Sequence, residues 1–73
     1  MITIDEVKAA WAKFLAYTDH AEQHEFPLLI MFHLKMETYY EDLLENWDEH
    51  HAEMWMHGMN MMFEKLGIKE KET

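Results

Sequence analysis

The stretch from Pro27 to Leu66 reads PLLIMFHLKMETYYEDLLENWDEHHAEMWMHGMNMMFEKL, and its interpretation decides the fold. Its single proline opens it and its single glycine, Gly58, lies well inside it. Reversing a helical chain usually takes Gly or Pro at the turn. On a wheel of about 100° per residue, Leu29, His33, Met36, Tyr40, Leu44, Trp47, His51, Met54, Gly58 and Met62 fall on one face. Phe32, Leu43, Trp55 and Met61 border that face, while Glu41, Asp42, Glu45, Glu49, Glu53 and Asn60 lie away from its centre. The face keeps its phase from Leu29 to Met62, which predicts one continuous helix roughly 60 Å long. The alternative is a three-helix bundle with a turn near Asn46. Asn46-Trp47-Asp48-Glu49 reads as a capping box with Asn46 as N-cap and Glu49 at the third position.

Upstream, Thr3-Ile4-Asp5-Glu6 matches a capping box, and its two carboxylates suit the positive end of a helix dipole. Ile4, Val7, Trp11, Phe14, Thr18 and Ala21 follow at three- and four-residue steps, the seam of an amphipathic helix ending near His20–Gln23. Glu25-Phe26-Pro27 marks a break. Proline pushes Phe26 out of the α region and is itself suited to the first position of the next helix. The expected fold is all-α: an antiparallel helical hairpin with a long second helix, within one helical domain spanning 1–73. A first helix of about 30 Å covers half of its partner. The uncovered half predicts a homodimer in a four-helix arrangement. Gly67 is placed as a left-handed helix cap, with Ile68 closing over that end and Lys69 to Thr73 as a charged tail.

Composition narrows the function. The 73 residues contain no cysteine, so neither a disulfide framework nor a thiolate metal site is available. A core this small needs tight packing, a metal or oligomerisation to be stable. Fifteen acidic residues against six lysines give a net charge of −9. That balance disfavours direct nucleic-acid binding and anionic membranes, and favours a protein partner with a basic surface. Met1-Ile2-Thr3-Ile4 runs into Asp5-Glu6 without a signal-peptide pattern, and the longest apolar run, Phe26–Phe32, is too short to span a bilayer. A cytoplasmic protein is expected.

Six histidines make a metal site worth weighing. His33 and Glu37 stand four residues apart, a spacing that stacks two ligands on one helix face. Glu53 and His57 repeat it in reverse. Asp48 and His51 form the acid–histidine pair found in di-iron carboxylate bundles, but the first-helix seam offers no carboxylate to complete such a site. An antiparallel dimer with its axis near Asp42 would bring His33 and Glu37 of one chain to His51 of the other, forming two sites for a divalent transition metal. The competing expectation is that His33 and His51 are hydrogen-bonded interface residues without a metal. Were they buried and neutral, acid near about pH 5–6 would loosen the assembly.

Two further features point to protein partners. Met54, Met56, Met59, Met61 and Met62 make the last third of the stretch apolar nearly all round, as in an oligomer core or an adaptable binding surface. Glu37, Glu41, Asp42, Glu45, Asp48, Glu49 and Glu53 form an acidic run with no lysine between Lys35 and Lys65. Such a run can mimic nucleic-acid phosphates in a basic cleft. The absence of Ser and Cys rules out a serine or cysteine nucleophile, and two glycines cannot build a phosphate loop. The expected function is therefore non-enzymatic: a small acidic interaction protein, an inhibitor or adaptor, binding through Glu41, Asp42, Glu45, Asp48, Glu49, Glu53, Met56 and Met59. In composition, though not in any motif, the chain resembles phage-encoded inhibitors.

Overall fold

A computed structural model describes residues 1–67 as three helices: α1 (Ile4–Thr18), α2 (Phe26–Glu45) and α3 (Glu49–Leu66), with a short 3-10 turn at Gln23–Glu25. The start of α1 follows from its cap. The Thr3 hydroxyl accepts from Glu6 N–H at 3.2 Å, and the Glu6 carboxylate accepts from Thr3 N–H at 3.0 Å. At the other end of the chain Gly67 adopts φ 77°, ψ 22° and closes α3, as its sequence position predicts. Ile68 and the charged tail lie outside the described residues. None of the helices described is long and apolar enough to cross a membrane.

The all-α expectation holds, and the three-helix alternative is the form observed. The continuous second helix is not. Its roughly 60 Å would far exceed the longest dimension of the molecule, 34 Å. The chain turns at 46–48 without Gly or Pro. Asn46 ends α2 (φ −132°, ψ 79°), its N–H bonding the Asp42 carbonyl at 2.8 Å. Asp48, rather than Asn46, is the N-cap of α3, accepting from His50 N–H at 2.9 Å and His51 N–H at 3.2 Å. Breaking the helix moves its buried face by about one position. Ala52, Trp55, Met59 and Phe63 point inward where the unbroken wheel places His51, Met54, Gly58 and Met62; Met62 also stays buried. Phe26 also departs from expectation. It is helical (φ −54°, ψ −46°) because the 3-10 turn feeds directly into α2, with Pro27 in the first turn, where no N–H is needed.

The turn between α1 and α2 is held by one carboxylate. Glu25 accepts from the Tyr17 hydroxyl, 2.9 Å to each oxygen, and from Glu22 N–H at 3.1 Å. Burial first, then this bond and the charges of Glu25 and Glu22, push the Tyr17 phenol above its ordinary value of 10.0.

The core is wholly apolar: every buried side chain among the described residues is Val, Ala, Trp, Phe, Leu or Met. Trp11 is its hub. Its ring lies 5.4 Å from Phe14, 5.3 Å from Tyr40 and 6.2 Å from Trp55, so α1, α2 and α3 meet on one indole. Phe14 meets Phe32 edge-on at 5.4 Å. Trp55 Nε1 donates to the Met36 carbonyl of α2 at 3.1 Å, the partner that a buried indole N–H requires. Lys13 lays its ammonium 4.5 Å from the Phe63 ring centre, a cation–π contact between α1 and α3.

Replacing Trp55 with Phe removes that hydrogen bond and part of the ring volume. The expected loss is about 2 kcal/mol, read as a lower urea midpoint with an unchanged m-value.

Candidate functional site

The carboxylates singled out in the sequence gather at the α2–α3 corner. Glu41, Asp42 and Glu45 occupy the last turns of α2, Asp48 caps α3, and Glu49 and Glu53 stand on the first turns of α3; all six are exposed. The two sides differ electrostatically. Asp48 and Glu49 meet the positive end of the α3 dipole. Glu41, Asp42 and Glu45 sit at the negative end of α2, whose last turn has no basic residue to offset them. Hydrogen bonds from the His51 and His50 backbone N–H groups, with the two imidazoles nearby, hold the Asp48 carboxyl below its ordinary value of 3.8.

Beside this corner a groove of about 420 Å³ lies between α2 and α3. Its buried lining is Met36, Leu43 and Trp55, and Gly58 leaves one wall without a side chain; Tyr39, Asp42, His51 and Met54 form the exposed margin. The position of Gly58 has room for a Cβ. A Cβ there would stand 3.5 Å from Met36 Cε, an ordinary contact. The glycine therefore costs the helix about 1 kcal/mol relative to alanine without packing requiring it, and what it contributes is groove depth. Sequence periodicity places Met36, Leu43 and Trp55 on the apolar face or at its border. Their joint exposure of a concave apolar surface depends on the turn at 46–48, which periodicity alone does not reveal.

The two methionines expected at a partner surface part company. Met56 is half-buried, whereas Met59 is fully buried, at 0% exposure, one helical turn from the buried Trp55 and Phe63 on the inward face of α3. Met59 is a core residue, and Met54 on the groove margin and Met61 elsewhere on α3 are the exposed methionines of the helix.

His33, Glu37 and His51 do not come together within one chain. His33 packs edge-on against Trp11 at 5.2 Å and approaches Glu37 at 3.5 Å, on α2. His51 pairs instead with Asp48 at 3.6 Å, at the start of α3. Among the described residues no group of three His, Asp or Glu side chains is placed to hold a metal ion. The straight helix assumed in the two-site dimer is broken between these histidines. Neither side chain is buried, at 34% exposed for His33 and 66% for His51, so the premise of an acid-triggered loosening through them is not met.

Compared with protein families, curated proteins and solved structures, the chain finds no match.

Two substitutions probe the local energetics. Asp48→Ala removes the α3 cap and should lower Tm by roughly 5 °C, while Asp48→Asn keeps most of the cap. The carboxylate's pKa is depressed by folding, so its contribution is present above 3.8 and disappears as pH falls through the lower folded value. Thermal melts of the parent chain and of the Asp48→Asn variant should therefore converge below that pH. Gly58→Ala should stabilise the protein by about 0.5–1 kcal/mol in the same melts.

Proposed function

We propose that this chain is a small acidic helical interaction protein, an inhibitor or adaptor, that seizes a basic segment of a larger protein at its α2–α3 corner. The observation that carries this reading is the adjacency of two features. An apolar groove lined by Met36, Leu43, Trp55 and Gly58 opens beside exposed Asp42, in the same corner as Glu41, Glu45, Asp48, Glu49 and Glu53. A groove of this kind takes one large apolar side chain, and the carboxylates attract Lys or Arg flanking it. The apolar contact supplies residence time and the charges supply encounter rate and selectivity. Met54, exposed on the groove margin, adds an adaptable contact. Binding is the whole activity in this reading, with no chemistry performed on the partner. A nucleic-acid-handling protein suits it, since its basic cleft is already shaped for a dense row of negative charge.

The test uses a synthetic amphipathic helical peptide rich in Lys and Arg with one large apolar anchor, and calorimetry. Affinity should fall at least about tenfold between roughly 50 and 500 mM salt. Glu45→Lys with Asp42→Lys should flatten that salt dependence. Gly58→Leu should fill the groove and weaken binding by about tenfold while leaving the salt dependence intact. Binding that ignores salt and both sets of variants would overturn the proposal.

A further inference from the structure

The α2–α3 groove has two unlike ends. Its α2 wall runs at three-residue steps from Met36 through Tyr39 to Asp42, toward the acidic corner. Its α3 wall returns from that corner, so His51 lies at the end nearer Asp42 and Gly58 stands opposite Met36. A rise of about 1.5 Å per residue sets Asp42 about 9 Å along α2 from Met36. The inner end is therefore apolar, and the bare backbone at Gly58 lets a flat group approach it closely. The outer end holds Asp42, the one carboxylate among the lining residues, and no lysine lines the groove.

The apolar side chains between those ends are of one chemical kind. Of the five, Tyr39 and Trp55 are aromatic and Met36 and Met54 are thioethers, which leaves Leu43 as the single aliphatic one. The Trp55 N–H is already bonded to the Met36 carbonyl, so its indole has no donor left for a ligand and offers only its ring surface. Such walls select by electronic character as well as by area. Rings and thioether sulfurs both gain from an aromatic neighbour beyond the burial of surface, and a saturated group of equal size receives the burial alone.

Resting on the reading of this corner as the site for a basic segment, we infer that the groove selects an aromatic anchor. The partner's ring occupies the Met36–Gly58 end, and a Lys or Arg about one helical turn from that ring, some 5–6 Å away, pairs with Asp42. Charge complementarity at the outer end and the aromatic and thioether lining at the inner end together define the occupant. A basic segment with an aliphatic anchor is the poorer ligand.

The test is calorimetry on the whole chain with basic helical peptides that differ at the anchor alone, carrying Phe or cyclohexylalanine. Cyclohexylalanine is the bulkier and more apolar of the two, so burial by itself would rank it first. The Phe peptide should instead bind about three- to tenfold more tightly. Met54→Leu should reduce that preference by about twofold or more, whereas Met61→Leu, exposed elsewhere on α3, should leave it unchanged. Replacing the peptide's Lys one turn from the anchor with norleucine should weaken binding to the parent chain and make no difference to Asp42→Asn. Equal affinities, or cyclohexylalanine ahead, with the salt dependence retained would overturn the aromatic selectivity and leave the basic-segment reading standing. A Phe preference untouched by Met54→Leu, or a Lys effect untouched by Asp42→Asn, would overturn the placement of the ring or of the cation. Failure of every peptide to bind would overturn both readings.

Discussion

An indole N–H taken out of water must find an acceptor, and the hydrogen bond from Trp55 to the Met36 carbonyl is the constraint on which this bundle depends. The acceptor belongs to the backbone of α2 and does not move. Satisfying it fixes both the rotation of α3 about its own axis and its height along α2. Once those are fixed, Trp55 meets Tyr40 at 5.7 Å and Trp11 at 6.2 Å, and α1 is drawn against both other helices through the same rings. With every buried side chain among the described residues otherwise apolar, this directional bond gives a core of interchangeable hydrophobes a single arrangement.

Charge and capping favour the restart of the helix after a corner made without the residues that usually turn a chain. At the end of α2 three carboxylates face the negative end of the helix dipole with no cation in the last turn to offset them, so the end of this helix carries an electrostatic cost that its position alone does not repay. Three residues later Asp48 and Glu49 face a positive dipole end and favour a new start. The acidic run that suggests a binding surface therefore also helps place the corner that presents it. Like charges that would weaken one long helix are accommodated by two shorter ones.

Much of this was legible from local rules. The Thr3/Glu6 box, Pro27 in the first turn of α2 and the Gly67 cap depend on neighbours within a few residues, and each is where those rules put it. Periodicity failed at the corner for an identifiable reason. Met62 lies inward in the true phase as well as in the extrapolated one, and the bordering Leu43 and Trp55 are apolar too, so an unbroken wheel remained plausible across the break. The same slip put Met59 on a surface it does not share. The carboxylates of the candidate site, being exposed in either phase, survived the error, while the groove beside them required two distant segments to meet.

Trp55 belongs at once to the core and to the wall of the groove. Its buried edge anchors α3, and its remaining face lines the space that Gly58 leaves open. Folding and the recognition proposed for this groove would therefore share an atom set and could not be tuned independently. Whatever fills the groove leans on the indole that holds two helices together, so occupancy and bundle rigidity are thermodynamically linked in both directions. Looseness in the free protein is then affinity withheld, and a tighter core is affinity regained.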